Sequence, residues 1–320
     1  MREKVEKVLD MAADRRIECE VYGEDIESLG AEVFAGRIES VDRARDTGVG
    51  VRAVRGGRTG FAWTCDLSDG GLVSLLEEAS ANARPGDGSD ADVLADAAEG
   101  DFPPEERGRL SEVPTEMKTD GALAMEEAAL GADPRIKGSE GASYSEESYT
   151  VCVGSTRGFL HTRRGAYCAC SIGATAGSGG EVRSGWSYAQ AKTPAELDFQ
   201  TAGMEAGSRA ASLLGGGPLP TGRYPVVFDE LAFTEIVSLL AEVLSAEMVV
   251  RGSSVFAGRL GERIASPVFS LVDDPFFEGA CFNAPFDDEG VPALRRELVS
   301  GGVLSDYLHN SYTVRKMGSG

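Results

Sequence analysis

Histidine is the side chain this sequence most conspicuously lacks: 320 residues contain two, His161 and His309. Neither sits in an H-E-x-x-H motif, and neither has a second His one helical turn away. A catalytic zinc needs about three N, O or S ligands brought together, with a further position left open. A self-contained zinc hydrolase therefore has little to build from, and an ordinary hydrogen-bonded or surface imidazole is expected at both positions. The G-x-S-x-G nucleophile elbow is also missing; Gly252-Ser-Ser-Val-Phe-Ala257 resembles it only superficially. Any Ser-His-Asp triad would have to recruit His161 or His309, around which there is no local signature. No G-K-[ST] follows a glycine-rich stretch. Gly48-Val-Gly-Val-Arg-Ala53 formally matches G-x-G-x-x-A, but its alternating valines belong to a hairpin strand. A dinucleotide site needs a strand-to-helix turn there.

Lysine is scarce as well, six of the 31 basic residues, and these face 52 acidic ones to give a formal charge of −21. Such a surface repels a phosphate backbone and anionic lipid, so neither nucleic acid nor membrane is an expected partner. The arginine bias fits a GC-rich genome or a salty cytoplasm and says nothing of mechanism. Six cysteines are scattered at 19, 65, 152, 168, 170 and 281 without a CxxC, which is no disulfide framework. Cys168, Cys170 and Ile172 alternate along a strand-like run and are expected to share one buried face. The charged start Met1-Arg-Glu-Lys-Val-Glu-Lys has no apolar h-region, and no run of about 18 apolar residues would span a bilayer. A cytoplasmic location is expected.

What is present reads as α+β: antiparallel sheets with flanking helices in two to three domains. Val5, Val8, Leu9 and Ala12 recur at helical spacing. Val49–Val54 and Thr59–Trp63 alternate on either side of Gly56-Gly57, the signal of a hairpin, and a helix follows from Leu72 towards Arg84. Pro85 to Glu112, rich in Asp, Glu, Gly and Pro, reads as a mobile or loosely packed linker. A helix is expected near Glu116–Leu130, followed by strand-like pieces that include Tyr149–Val153. Thr193-Pro-Ala-Glu196 predicts a capped helix start, with the helix running to Leu214 and stopping at Gly215-Gly-Gly-Pro218. Tyr224–Phe228 reads as a strand. After it, Asp229 caps a helix whose apolar stripe is Ala232, Ile236, Leu239, Leu240, Val243 and Leu244. Short β pieces then include Pro267–Val272 and a hairpin turning at Gly301-Gly302. The division expected is 1–105, 106–217 and 218–320, the last cut short by the abrupt end after Thr313–Met317.

Two acidic clusters, Asp273-Asp274 and Asp287-Asp-Glu289, are the remaining chemical candidates. Paired acids can perform acid–base work or hold a hard cation, yet both clusters lie among turn residues, where Asp suits the local backbone.

The third region carries a sharper pattern. Leu214-Gly-Gly-Gly-Pro-Leu-Pro-Thr-Gly-Arg-Tyr-Pro-Val-Val-Phe228 is followed by Arg251-Gly-Ser-Ser-Val-Phe-Ala-Gly-Arg-Leu-Gly-Glu-Arg263. Leu271-Val-Asp-Asp274, Pro285-Phe-Asp-Asp-Glu-Gly-Val-Pro292 and Asn310-Ser-Tyr-Thr-Val-Arg-Lys-Met317 come next. These blocks in this order resemble the PmbA/TldD family, once described as modulators of DNA gyrase, and Gly48–Arg52 with Gly60-Phe-Ala62 extends the resemblance to the N-terminal meander. The resemblance implies a cytoplasmic, zinc-dependent peptidase acting on unfolded or leader peptides. It also implies pairing of a TldD-type with a PmbA (TldE)-type subunit, some members being homodimers. The resemblance also implies chains that run on beyond the equivalent of Gly320, so a third domain cut short is expected.

The TldD-type subunit carries H-E-x-x-x-H on the helix before the Arg-Gly-Ser-Ser block. Here the matching positions are Val237, Ser238, Leu239, Leu240, Ala241 and Glu242. Both histidines and the glutamate base are replaced, so no catalytic or metal residue carries over. The chain then reads as the non-catalytic PmbA-type subunit, with zinc expected in a TldD-type partner. Two alternatives are a peptide-binding protein without turnover and a self-sufficient metallopeptidase with ligands such as Glu242, His309 and a cysteine. Arg251, Gly252, Ser253, Arg259, Asp287, Asp288 and Glu289 are the candidate cleft or interface residues, the acids expected to hold Arg251 or Arg259; the competing reading makes them turn residues and internal salt links. Direct action on DNA conflicts with the charge of −21.

Overall fold

The structure, a computed structural model, describes residues 1–83, 94–96 and 110–318. α1 (Arg2–Arg15) buries Val5, Val8 and Ala12, the expected stripe, and ends as Arg16 turns left-handed at φ 55°. β1 (Glu18–Phe34), β2 (Arg37–Val54) and β3 (Thr59–Thr64) follow as a meander. α2 (Asp69–Asn82) is capped by Ser68, whose hydroxyl accepts the Gly71 N–H at 3.2 Å. The second half repeats the theme with α3 (Thr115–Gly131), β4 (Ile136–Ser155), β5 (Phe159–Ser178), β6 (Glu181–Ala191) and α4 (Phe199–Ser212).

The two halves share one antiparallel sheet in the order β3-β2-β1-β4-β5-β6. β1 pairs with β4 from Glu20↔Ser155 to Val33↔Ala142, so the central seam joins residues far apart in sequence. One face carries all four helices. α1 and α2 cover a core of Val21, Val49, Val51, Leu72, Leu75 and Leu76. α3 and α4 cover the other end, over Leu29, Val33, Tyr144, Cys168, Cys170 and Ile172. The expected shared face of Cys168, Cys170 and Ile172 is thus the buried one. Full burial of each large aliphatic stabilises by roughly 1.5–3 kcal/mol. The second layer is rich in Ala and Gly because α3 and α4 nearly touch: a Cβ on Gly203 would lie 2.2 Å from the Met125 carbonyl oxygen.

The third region comprises α5 (Glu230–Val243), α6 (Ala246–Val250), β7 (Leu271–Asp273), β8 (Arg296–Ser300), β9 (Val303–Leu304) and α7 (Ser311–Met317). β7, β8 and β9 form a small sheet in that order, and Leu244, Leu298, Leu304 and Tyr307 are fully or nearly fully buried in a core of its own.

Four expectations are corrected. Tyr224–Phe228 is not a strand: among the described residues nothing pairs with it, and Val227 is 96% exposed. Strand character needs a neighbouring ladder and a surface to cover, and Pro225 removes one donor. α5 forms where the periodicity placed it, but none of its residues is buried; of the expected stripe only Leu244, beyond its end, reaches a core. The helix expected from Thr193 begins at Phe199, because Asp198 accepts the Thr201 N–H at 2.9 Å while Pro194–Glu196 makes a separate 3-10 turn. The expected loose linker is firmly packed where it is described. Leu94, Ala95 and Leu110 are buried, and Asp96 lies 3.2 Å from Arg157. The remainder of that linker lies outside the described residues.

Candidate functional site

α5 begins at Asp229, whose carboxylate accepts the Ala232 N–H at 2.8 Å. Of the positions matching H-E-x-x-x-H, Val237 has no donor atom. The Ser238 hydroxyl donates to the Thr234 carbonyl at 3.0 Å. Glu242 supplies a single carboxylate on an exposed turn. One carboxylate is not a zinc site, so this donor set does not fit the metal. Among the described residues no group of three His, Cys, Asp or Glu side chains lies together in a way that would hold an ion.

The Arg-Gly-Ser-Ser block closes α6. Arg251 pairs with Glu247 one turn back at 2.5 Å. Gly252 takes φ 70° just past the helix, and the Ser253 N–H donates to the Met248 carbonyl at 2.9 Å. Ser254, not Ser253, is the buried hydroxyl, donating to the Val243 carbonyl at 2.5 Å. Arg259 pairs with Glu262 at 2.8 Å and lies over the Phe256 ring. The sequence reading expected the acids of 287–289 to hold Arg251 or Arg259; the structure pairs these arginines with Glu247 and Glu262 instead. Each guanidinium finds a glutamate three or four residues away, which costs less chain ordering than a distant partner.

The second block points at the sheet, on the face opposite the helices. Phe286 is fully buried with Val151, Val153 and Phe159, and His161 lies against both aromatic rings with centroids 5.3 Å away. Arg163 donates to the Phe286 carbonyl and to Asp288, both at 2.8 Å. Asp287 caps its own loop, its carboxylate accepting the N–H groups of Glu289 and Val291 at 2.9 Å. Burial raises its pKa against the lowering effect of those two N–H groups. Glu289 accepts the Ser311 N–H at 2.8 Å and lies 3.6 Å from Arg52, which in turn holds Glu20 at 2.5 Å. Burial also raises the Glu20 carboxyl, the Arg52 guanidinium pulling the other way.

A half-open cavity of about 620 Å³ lies at this junction, lined by Leu94 and Ala95 on one side and by Asp287, Glu289, Leu308 and His309 on the other. His309 is placed by Thr313, whose hydroxyl is 3.2 Å from Nδ1. Two residues that shape the site were given no site role from sequence, Glu20 and Arg52, while Phe286 entered only as part of the 285–292 block. The only hint for a fourth, Arg163, was its place in the run His161-Thr-Arg-Arg164. In a strand that spacing puts Arg163 on the face of His161.

Comparison with known proteins fixes the class. Three domains of the PmbA/TldA metallopeptidase are matched in order: domain 1 over 19–83, the central domain over 108–214 and the C-terminal domain over 221–320. The chain belongs to the PmbA/TldD family. It is 28% identical to the metalloprotease PmbA homolog of Haemophilus influenzae, over 99% of this chain and 71% of that one. It is 26% identical to the TldD homolog of the same organism, over 85% of this chain and 59% of that one. Among solved structures it superimposes with TM-score 0.89 on a Thermotoga maritima protein described as a modulator of a DNA gyrase, at 25% identity over 99% of this chain and 72% of that one. TldE from Thermococcus kodakarensis shares the fold at TM-score 0.85 and 18% identity, over 98% of this chain and 72% of that one.

Proposed function

We propose that this chain is the PmbA (TldE)-type, non-catalytic subunit of a heterodimeric zinc-dependent peptidase acting on unfolded or leader peptides. In this reading it works in the cytoplasm and a TldD-type partner holds the zinc. The observation that carries it is α5, where Val237, Ser238 and Glu242 occupy the metal-binding and base positions of the family motif. The similarity to the PmbA homolog over 99% of this chain, against 85% for the TldD homolog, supports the same side of the pair.

The test is elemental analysis of the chain alone and of its complex with a TldD-type subunit, together with cleavage of an unfolded peptide by each. The expected result is zinc and cleavage in the complex and neither in the lone chain. Stoichiometric zinc with chelator-sensitive cleavage in the lone chain would overturn the proposal. A complex that binds peptide without cleaving it would leave a binding protein instead.

A further inference from the structure

Among the described residues, the third region meets the six-stranded sheet through side chains that belong to loops. Phe286 enters the socket of Val151, Val153 and Phe159. Arg163 holds Asp288 and the Phe286 carbonyl, and Arg52 approaches Glu289. Farther along, Phe282 packs on Tyr167 with centroids 4.4 Å apart, and Lys192 reaches the Glu278 carbonyl at 3.4 Å. The helices and strands of the region pack chiefly on one another. The covalent connection is equally spare. Residues 215–230 are all exposed, and within 217–228 the hydrogen bond present joins the Tyr224 hydroxyl to the Pro220 carbonyl.

We infer that residues 224–318 form a hinged lid, swinging on the Gly215–Gly222 tether and latched by Phe286 together with the Arg163–Asp288 pair. Three features support this. The tether contains consecutive glycines with no burial to fix their torsions, the composition that absorbs a large backbone change. The apolar contacts of the latch come from a few loop side chains, Phe286 in its socket and Phe282 on Tyr167, rather than from packed helices or strands, and relative motion is the default expectation for two bodies joined in this way. The junction cavity has walls from both bodies, Leu94 and Ala95 from one and Leu308 and His309 from the other, so separation of the bodies opens it. The latch also fits closely. Gly290, at φ 77°, lies against Phe159 so tightly that a Cβ would come within 2.1 Å of the ring. Asp288 is 72% exposed, which makes the ionic part of the latch sensitive to salt.

The test is a distance measurement on the full chain. Cys65→Ser and Cys281→Ser remove the two cysteines that are not buried. Spin labels are then placed on Glu39→Cys in β2 and Val268→Cys in the third region, both exposed. One narrow distance is expected in the parent at low salt. Phe286→Ala should add a longer population, and Asp288→Asn a smaller one that high salt reproduces in the parent. Thermal unfolding of the Phe286→Ala chain should keep the main transition of the six-stranded sheet. Because Asp288 is exposed, Asp288→Asn remains informative even where Phe286→Ala folds poorly. A single unchanged distance in Asp288→Asn and at high salt would show a fused body and overturn the lid.

Discussion

The Lys118 ammonium lies 2.7 Å from Glu146 and is fully enclosed by the protein. It also donates to the Leu110 carbonyl at 2.8 Å, while the Tyr144 hydroxyl donates to Glu146 Oε2 at 2.6 Å. α3 is thereby fixed to β4 by a network whose members have no water to fall back on. Lys118→Met removes one charge and leaves Glu146 buried, so a loss of about 3–5 kcal/mol is expected. The double variant Lys118→Met/Glu146→Leu should lose less than the sum of the single changes. Urea unfolding of the four-member cycle measures this coupling.

Arg52 performs the same service for Glu20, which is 7% exposed. Burial already raises the Glu20 carboxyl above its ordinary value, and loss of Arg52 raises it further. A carboxyl with a raised folded pKa penalises the fold above that pKa. The penalty disappears below its unfolded value, where both states are protonated. Arg52→Met should therefore be markedly destabilised at pH 7 and closer to the parent near pH 4. Paired unfolding curves at the two pH values test the sign.

Glu126 is a buried carboxylate that accepts the N–H groups of Ala35 and Gly36, at 3.0 and 2.7 Å, and the Ser139 hydroxyl. It holds the β1–β2 hairpin tip, where Ala35 and Gly36 take φ 51° and 70°. Glu126→Ala strands these donors and should cost about 1–3 kcal/mol. Faster amide exchange at residues 33–38, with the α1–α2 end of the sheet unchanged, is the expected signature.

Cysteine reactivity should divide the thiols by environment. Cys65 is exposed, whereas burial pushes Cys19 and Cys168 to about 12 and Cys170 to about 11. The thiolate is the reactive form, so at pH 8 iodoacetamide should label Cys65 first. Cys19, Cys168 and Cys170 should react only after denaturation. Peptide mass spectrometry distinguishes them.

Local patterns made much of the fold legible. Helical spacing found α1, α2, α3 and α5, and the Gly56-Gly57 and Gly301-Gly302 turns marked two hairpins, because these signals lie within one or two turns of chain. The strand-like pieces near Tyr149 and Cys168 gave no sign that β4 and β5 run for 20 residues each, since their length is set by partners elsewhere. Thr193 and Asp198 are both residue types that cap helices; the one whose side chain accepts the capping N–H is Asp198.

The candidate site divided along the same line. Residue identity alone settled some of the chemistry: the Val237 side chain offers no donor atom to a metal in any fold, and the formal charge of −21 follows from composition. Tertiary structure alone decided the partners. Arg251 and Arg259 turned to nearby glutamates, whereas Asp288 met Arg163 across 125 residues. Ion pairs form where the packed backbone brings opposite charges within reach, and sequence spacing does not report that distance. The same holds for Phe286: its apolar character was plain from the chain, but its socket exists only once β4 and β5 lie side by side.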